Sequence, residues 1–142
     1  MATQTQQTAL QALFETTGRV ALGLYFLLPG GLMKIFNYDG TSEYMASHGM
    51  VFIPFFLVLT IVIQTGGGIA MIVGYQTKLT AFLLAGLTLV ISVVMHDFWT
   101  MPAGELQTGH ETQNFVKNLG ITAGLLVAAG MGAGRWSLDS RR

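Results

Sequence analysis

Two stretches of the chain, Phe52 to Val73 and Leu79 to Met95, contain no charged side chain. Each is long enough to cross the hydrocarbon core of a bilayer as a helix, which takes about 20 mostly apolar residues. Two more apolar stretches flank them, interrupted by a few polar positions. The pattern predicts four membrane-spanning helices, approximately Thr17 to Phe36, Phe52 to Val73, Lys78 to His96 and Gln113 to Met131. Only short connections remain, so the fold class is all-α, one integral membrane four-helix bundle over residues 17–134. Ahead of it, Leu10, Leu13, Phe14 and Thr17 fall at helical spacing. That spacing predicts a short interfacial helix within residues 1–16. A frayed polar tail fits Met1 to Thr8 equally well. No positive residue precedes the first apolar run and no small-residue cleavage site follows it, so the start reads as a retained tail.

Composition agrees with the pattern. Of 142 residues, 51% are hydrophobic and 10% charged, whereas a soluble domain carries roughly 25% charged residues. The net charge of zero leaves no basic surface for nucleic acid. Cysteine is absent, which excludes disulfides, thiol–disulfide chemistry and iron–sulfur ligation by the chain itself.

Charge also predicts orientation. Arg19, Lys78, Arg135, Arg141 and Arg142 share one side of a four-span bundle, and only Lys34 and Lys117 fall on the other. By the positive-inside rule both termini, including the 135–142 tail, are cytoplasmic. The loops Asn37 to Val51 and Asp97 to Thr112 then face outward, carrying most of the acidic residues and, with His96 at their edge, every histidine.

Small residues mark where helices can approach, because apolar side chains gain little over lipid. Gly120 and Gly124 form such a pair on the fourth span, Ala81 and Ala85 a weaker one on the third. Gly66, Gly67 and Gly68 interrupt the second span, for close packing or for loosening around a ligand. Pro29-Gly30-Gly31 predicts a kink in the first span, and the carbonyl it frees needs a partner or a wet cavity.

Polar residues within lipid are costly and tend to mark function. Lys34, Lys117, Asn114, Asn118, His96 and Asp97 fall in one layer near the outer ends of three helices. They form either a shared polar site or a set of snorkelling side chains. Gln64 lies about 18 Å below the start of its span, where its amide needs partners such as Thr60, Thr65, Thr88 or Tyr25. It is either glue between helices or a hydrogen-bond donor to a buried ligand. His96, His110, Asp97 and Glu111 match no compact ligand pattern, so no metal is expected. No haem is expected either, since His96 is the one histidine within a span, and the eight methionines read as gap-filling.

These residues resemble a known family. Gly30-Gly31-Leu32-Met33-Lys34 is similar to the G-x-x-K element of DoxX family membrane proteins. Gln64-Thr65-Gly66-Gly67-Gly68, followed by Gly74, resembles that family's E-x-x-G-G stretch and glycine turn. Lys117 opens the last helix where the family often has Lys, and Gly132-Ala133-Gly134-Arg135-Trp136-Ser137-Leu138-Asp139 resembles its G-x-G-R-x-S-L-D ending. The likeness spans nearly the whole chain. One departure stands out, since Gln64 occupies a position where the family often has Glu, and an amide cannot shuttle a proton.

The resemblance implies a multi-pass protein of the bacterial inner membrane. A related branch forms the membrane part of a thiosulfate:quinone oxidoreductase, so quinone or redox association is implied more than any one reaction. The expected ligand is a quinone held in the outer half of the bundle. Lys34 and Lys117 would stabilise an oxyanion, Gln64 and Asn114 would assist binding, and His96 with Asp97 would transfer protons. Electrons would come from a partner or a diffusible substrate. The alternative expectation is a structural or assembly subunit without turnover, docked to a membrane or periplasmic protein, or to further copies of itself, through its glycine-rich helix faces.

Overall fold

The computed structural model describes residues 7–142, so the first part of the expected amino-terminal tail lies outside the described residues. Every regular element among them is helical. Four helices are long and apolar enough to span a membrane: α1 (Ala9–Phe36), α3 (Ile53–Val73), α4 (Thr77–Met95, prolonged by a 3-10 turn at Phe98–Thr100) and α5 (Leu106–Met131). A fifth helix, α2 (Tyr38–Ser47), crosses the loop end of the bundle between α1 and α3. Large apolar side chains such as Leu24, Val62, Phe82, Val90 and Leu126 face outward. In water such exposure would be a severe aggregation liability, and in lipid it is the expected surface.

The first helix starts earlier than its apolar run. Thr8 caps it, accepting from the Gln11 backbone N–H while the Gln11 side chain accepts from the Thr8 N–H. This reciprocal cap satisfies two donors that a helix start leaves open. The expected interfacial helix is thus continuous with the first span. Pro29 cannot donate its hydrogen bond, and the backbone there widens to a π-helix over Phe26–Leu32.

Glycines set the α1–α3 crossing. A Cβ on Gly68 would stand 2.6 Å from the Leu27 backbone nitrogen and 2.8 Å from the Gly23 carbonyl oxygen. The pair expected to pack, Gly120 and Gly124, does less. Gly120 faces open space and Gly124 makes only ordinary contact with Leu22. The close approach therefore falls on Gly23 and Gly68, and packing is the role of the Gly68 member of the triplet.

At the end bearing both termini, Arg19 is buried rather than anchored at a surface. Its guanidinium donates to the carbonyls of Ala133 (3.1 Å), Ile72 (2.7 Å), Met71 (2.5 Å) and Trp136 (2.8 Å). The carboxylate of Asp139 accepts from the backbone N–H groups of Gln76 (2.7 Å) and Thr77 (2.8 Å), capping α4. Gly74, Gly132 and Gly134 all take φ near +70° to +95°, the left-handed turns that let the tail fold back onto this end. The tail motif is a clasp joining α1, α3 and α4.

Candidate ligand site

Depth places Lys34 differently from its position in sequence. Gly30 is level with Gln64, since a Cβ on Gly30 would lie 3.2 Å from the Gln64 side chain. From that level α1 continues only six residues to Phe36, about 9 Å, while α3 continues eleven to Ile53, about 16 Å. The first helix stops short, and α2 roofs the gap. Lys34 is therefore half-buried inside the bundle, and snorkelling does not describe it. Its ammonium donates to the Gly30 carbonyl (2.8 Å) and to the Gln64 Oε1 (2.9 Å). A lysine ammonium has three N–H groups, so one is left over after these two bonds. Among the candidate partners expected for Gln64, none is the one found; that partner is Lys34.

Two cavities meet at this lysine. A small polar one, about 120 Å³, is lined by Lys34, Gln64, Thr88, His96, Lys117 and Asn118, among others. A larger apolar one, about 560 Å³, runs between α3 and α4 under α2, with Phe56, Leu59, Val90 and Val94 on its walls. Those four side chains are exposed, so the cavity opens sideways toward lipid. Lys34, Ile91 and His96 line both cavities. The arrangement suits a molecule with an apolar body and one polar end.

The sequence-selected residues divide accordingly. Lys34, Gln64, His96 and Lys117 come together around the small cavity. Asn114 joins through Lys117, whose ammonium donates to its Oδ1 at 3.0 Å. Asp97 does not join. It accepts from the Thr100 hydroxyl at 2.9 Å and lies 3.8 Å from His48 Nε2, on a separate open cavity of about 500 Å³ at the loop end.

Two side chains beside the cavities, Glu111 and Tyr44, are not among the site residues expected from the sequence. Helix α5 begins at Leu106 rather than near Gln113, so Glu111 is helical and buried instead of solvated in a loop. Its Oε2 lies 2.6 Å from His96 Nδ1, and its Oε1 accepts from the Tyr44 hydroxyl (2.8 Å) and the Gln107 amide (2.8 Å). Burial and then the bond to Glu111 push the Tyr44 hydroxyl well above its ordinary range, so it stays a neutral donor. A usable signal was present: Gln107, Glu111, Asn114, Asn118 and Thr122 recur at helical spacing, an inward polar stripe extending before residue 113.

A family model described as DoxX matches residues 14–97. The chain is 34% identical over 121 residues to the inner membrane protein YqjF of Escherichia coli, covering 85% of each chain. It is 32% identical over 123 residues to the inner membrane protein YphA of the same organism, covering 87% of this chain and 86% of that one. A Surfeit locus protein 4 homolog of Schizosaccharomyces pombe is 25% identical over 118 residues, covering 83% of this chain but 38% of that protein. No solved structure matches significantly.

Proposed function

The chain belongs to the DoxX family, and from that premise we propose that it binds a quinone-like lipophilic molecule between α3 and α4. The observation that carries this reading is Lys34, whose ammonium stands where the apolar and polar cavities join. A ring and tail would enter from the bilayer through the sideways opening. The ring oxygen would take the free N–H of Lys34, with Lys117 adding positive charge and Gln64 holding the lysine in place. Cations beside an oxygen favour charge developing on it. The protein would lie in a bacterial inner membrane, as its Escherichia coli relatives do by name. Its clasped end with Arg135, Arg141 and Arg142 would face the cytoplasm.

Purification in mild detergent with mass spectrometry of everything retained tests the reading. A stoichiometric quinone present in the native protein and missing from Lys34→Met is the expected result. Stable protein partners without any lipophilic ligand would instead favour a structural subunit. That second reading draws on α5, where Gly120 and Gly130 have nothing within 4 Å of an added Cβ, leaving a smooth outward face.

A further inference from the structure

Glu111 is 2% exposed, and the binding reading makes no use of it. An unneeded carboxylate inside a membrane bundle is costly. Here it is held by donors from three elements: Tyr44 on α2, His96 at the end of α4, and Gln107 on its own helix. A carboxylate can only accept, so the hydrogen of the 2.6 Å contact sits on His96 Nδ1. That leaves Nε2 as the open nitrogen of a ring that lines both cavities beside Lys34. On the far side, Tyr44 and Gln107 line the open cavity at the loop end, with His48 and Asp97. Glu111 thus stands between the ligand cavity and the surface.

We propose that His96 and Glu111 form a proton relay that takes the proton of a ligand hydroxyl and delivers it to the loop end of the bundle. The proposal rests on the cavity being a ligand site, and it adds the ligand's class, a lipophilic molecule with an acidic hydroxyl. In the step, the ligand O–H bond breaks and its proton binds Nε2 of His96. The Nδ1–H bond breaks as Oε2 of Glu111 takes that proton. No electron moves. The ligand remains as an oxyanion near Lys34 and Lys117, and Glu111 remains as a neutral acid until it releases the proton to solvent beside Tyr44 and Gln107. The Lys34 ammonium beside the ligand oxygen, with Lys117 at the rim of the small cavity, favours its ionised form. His96 touches the ligand; Glu111 acts through it, setting the tautomer and accepting the proton. Asp97, turned toward His48 and Thr100, takes no part.

The test uses the full chain in lipid nanodiscs and a 2-hydroxy-3-alkyl-1,4-naphthoquinone, whose anion has its own visible absorption band. At a pH below the free probe's pKa, the wild-type protein should bind it, show the anion band and release about one proton per probe to a pH-indicator dye. Glu111→Gln keeps an acceptor for His96 but takes up no proton, so the proton should stay on the ring as an imidazolium and its release to the dye should be lost. Glu111→Asp should restore part of the release. The 2-methoxy analogue has no proton to give and should bind wild type and Glu111→Gln alike, with no release. Full proton release in Glu111→Gln would overturn the relay. Nitrogen-15 NMR of labelled histidine, in a His48→Gln, His110→Gln background, gives a ligand-free check. His96 should carry its hydrogen on Nδ1, and an Nε2–H ring would also overturn the relay. Failure of both probes to bind wild type, with His96 in the expected tautomer, would count against the cavity reading instead.

Discussion

The amide oxygen of Gln64 accepts a 2.9 Å hydrogen bond from the ammonium of Lys34, and because an amide is neutral the pair keeps a net positive charge. A carboxylate at the same place would cancel that charge. Gln64→Glu is therefore expected to leave the bundle folded while weakening binding of a short-chain naphthoquinone about tenfold, roughly 1.4 kcal/mol. Titration in nanodiscs by tryptophan quenching measures it. Unchanged or tighter binding would show that the lysine charge is not what meets the ligand.

Gly68 has no room for a methyl group. Gly68→Ala would press on the Leu27 nitrogen and the Gly23 carbonyl, both backbone atoms. Overpacking of this kind costs about 1–3 kcal/mol. Gly120→Ala, facing open space, should change stability by less than about 0.5 kcal/mol. Thermal unfolding of the two variants in one detergent compares them directly, and equal melting temperatures would refute the crossing assigned to Gly23 and Gly68.

Removing the guanidinium of Arg19 orphans carbonyls from α3 and from the tail at once. Hydrogen bonds to a charged group contribute about 1.5–3 kcal/mol each. Arg19→Met should cost about 3 kcal/mol or more and free the tail. Limited trypsin digestion would then cut after Arg135 much faster than in wild type, an effect visible by mass spectrometry before the bundle itself unfolds.

Asp139 gives the clasp a pH dependence. Burial disfavours its charge, yet the Thr77 and Gln76 backbone N–H groups outweigh that, and its carboxyl is held below the usual range. A carboxyl with a lowered folded pKa stabilises fully above its unfolded value, about 3.9, and the contribution fades as pH falls through the folded value. Tail protection should be flat from neutral pH down to about 4 and drop below it. Asp139→Asn should lower protection at neutral pH by about 1 kcal/mol and flatten the acid limb. Hydrogen exchange at Gln76 and Thr77 reads both effects.

Much of the architecture is legible in the sequence because lipid imposes one rule, twenty apolar residues per span. Phe52–Val73 and Leu79–Met95 follow it closely and carry no charged residue. The rule fails where other contacts hold a helix. Ala9–Gly18 and Leu106–Thr112 are helical despite their polarity, held by a capping box in one case and by inward polar contacts in the other. The gathering of Lys34, Lys117, His96 and Gln64 is partly visible, since helical spacing puts polar groups in one layer. The joining of Lys34 to Gln64 is not, because it depends on how early α1 ends. Arg19 reads as an interfacial charge in sequence, since its acceptors are backbone carbonyls and no residue type announces them. Tyr44 is hidden with α2, since a ten-residue helix over a bundle has no hydrophobic signature of its own, whereas Glu111 is marked only by the polar stripe that carries α5 back to Leu106.

The clasp around Arg19 also ties assembly to the order of synthesis. Two of the four carbonyl acceptors, Ala133 and Trp136, are made more than a hundred residues after the arginine they serve. While the ribosome is still at work on α5, the first helix carries a guanidinium whose coordination is half complete. A chain halted once α5 is finished, before Ala133, would keep its four-span hydrophobic pattern but not its locked end. Membrane proteases would thus find in an unfinished chain a loose, charged terminus that the finished one conceals.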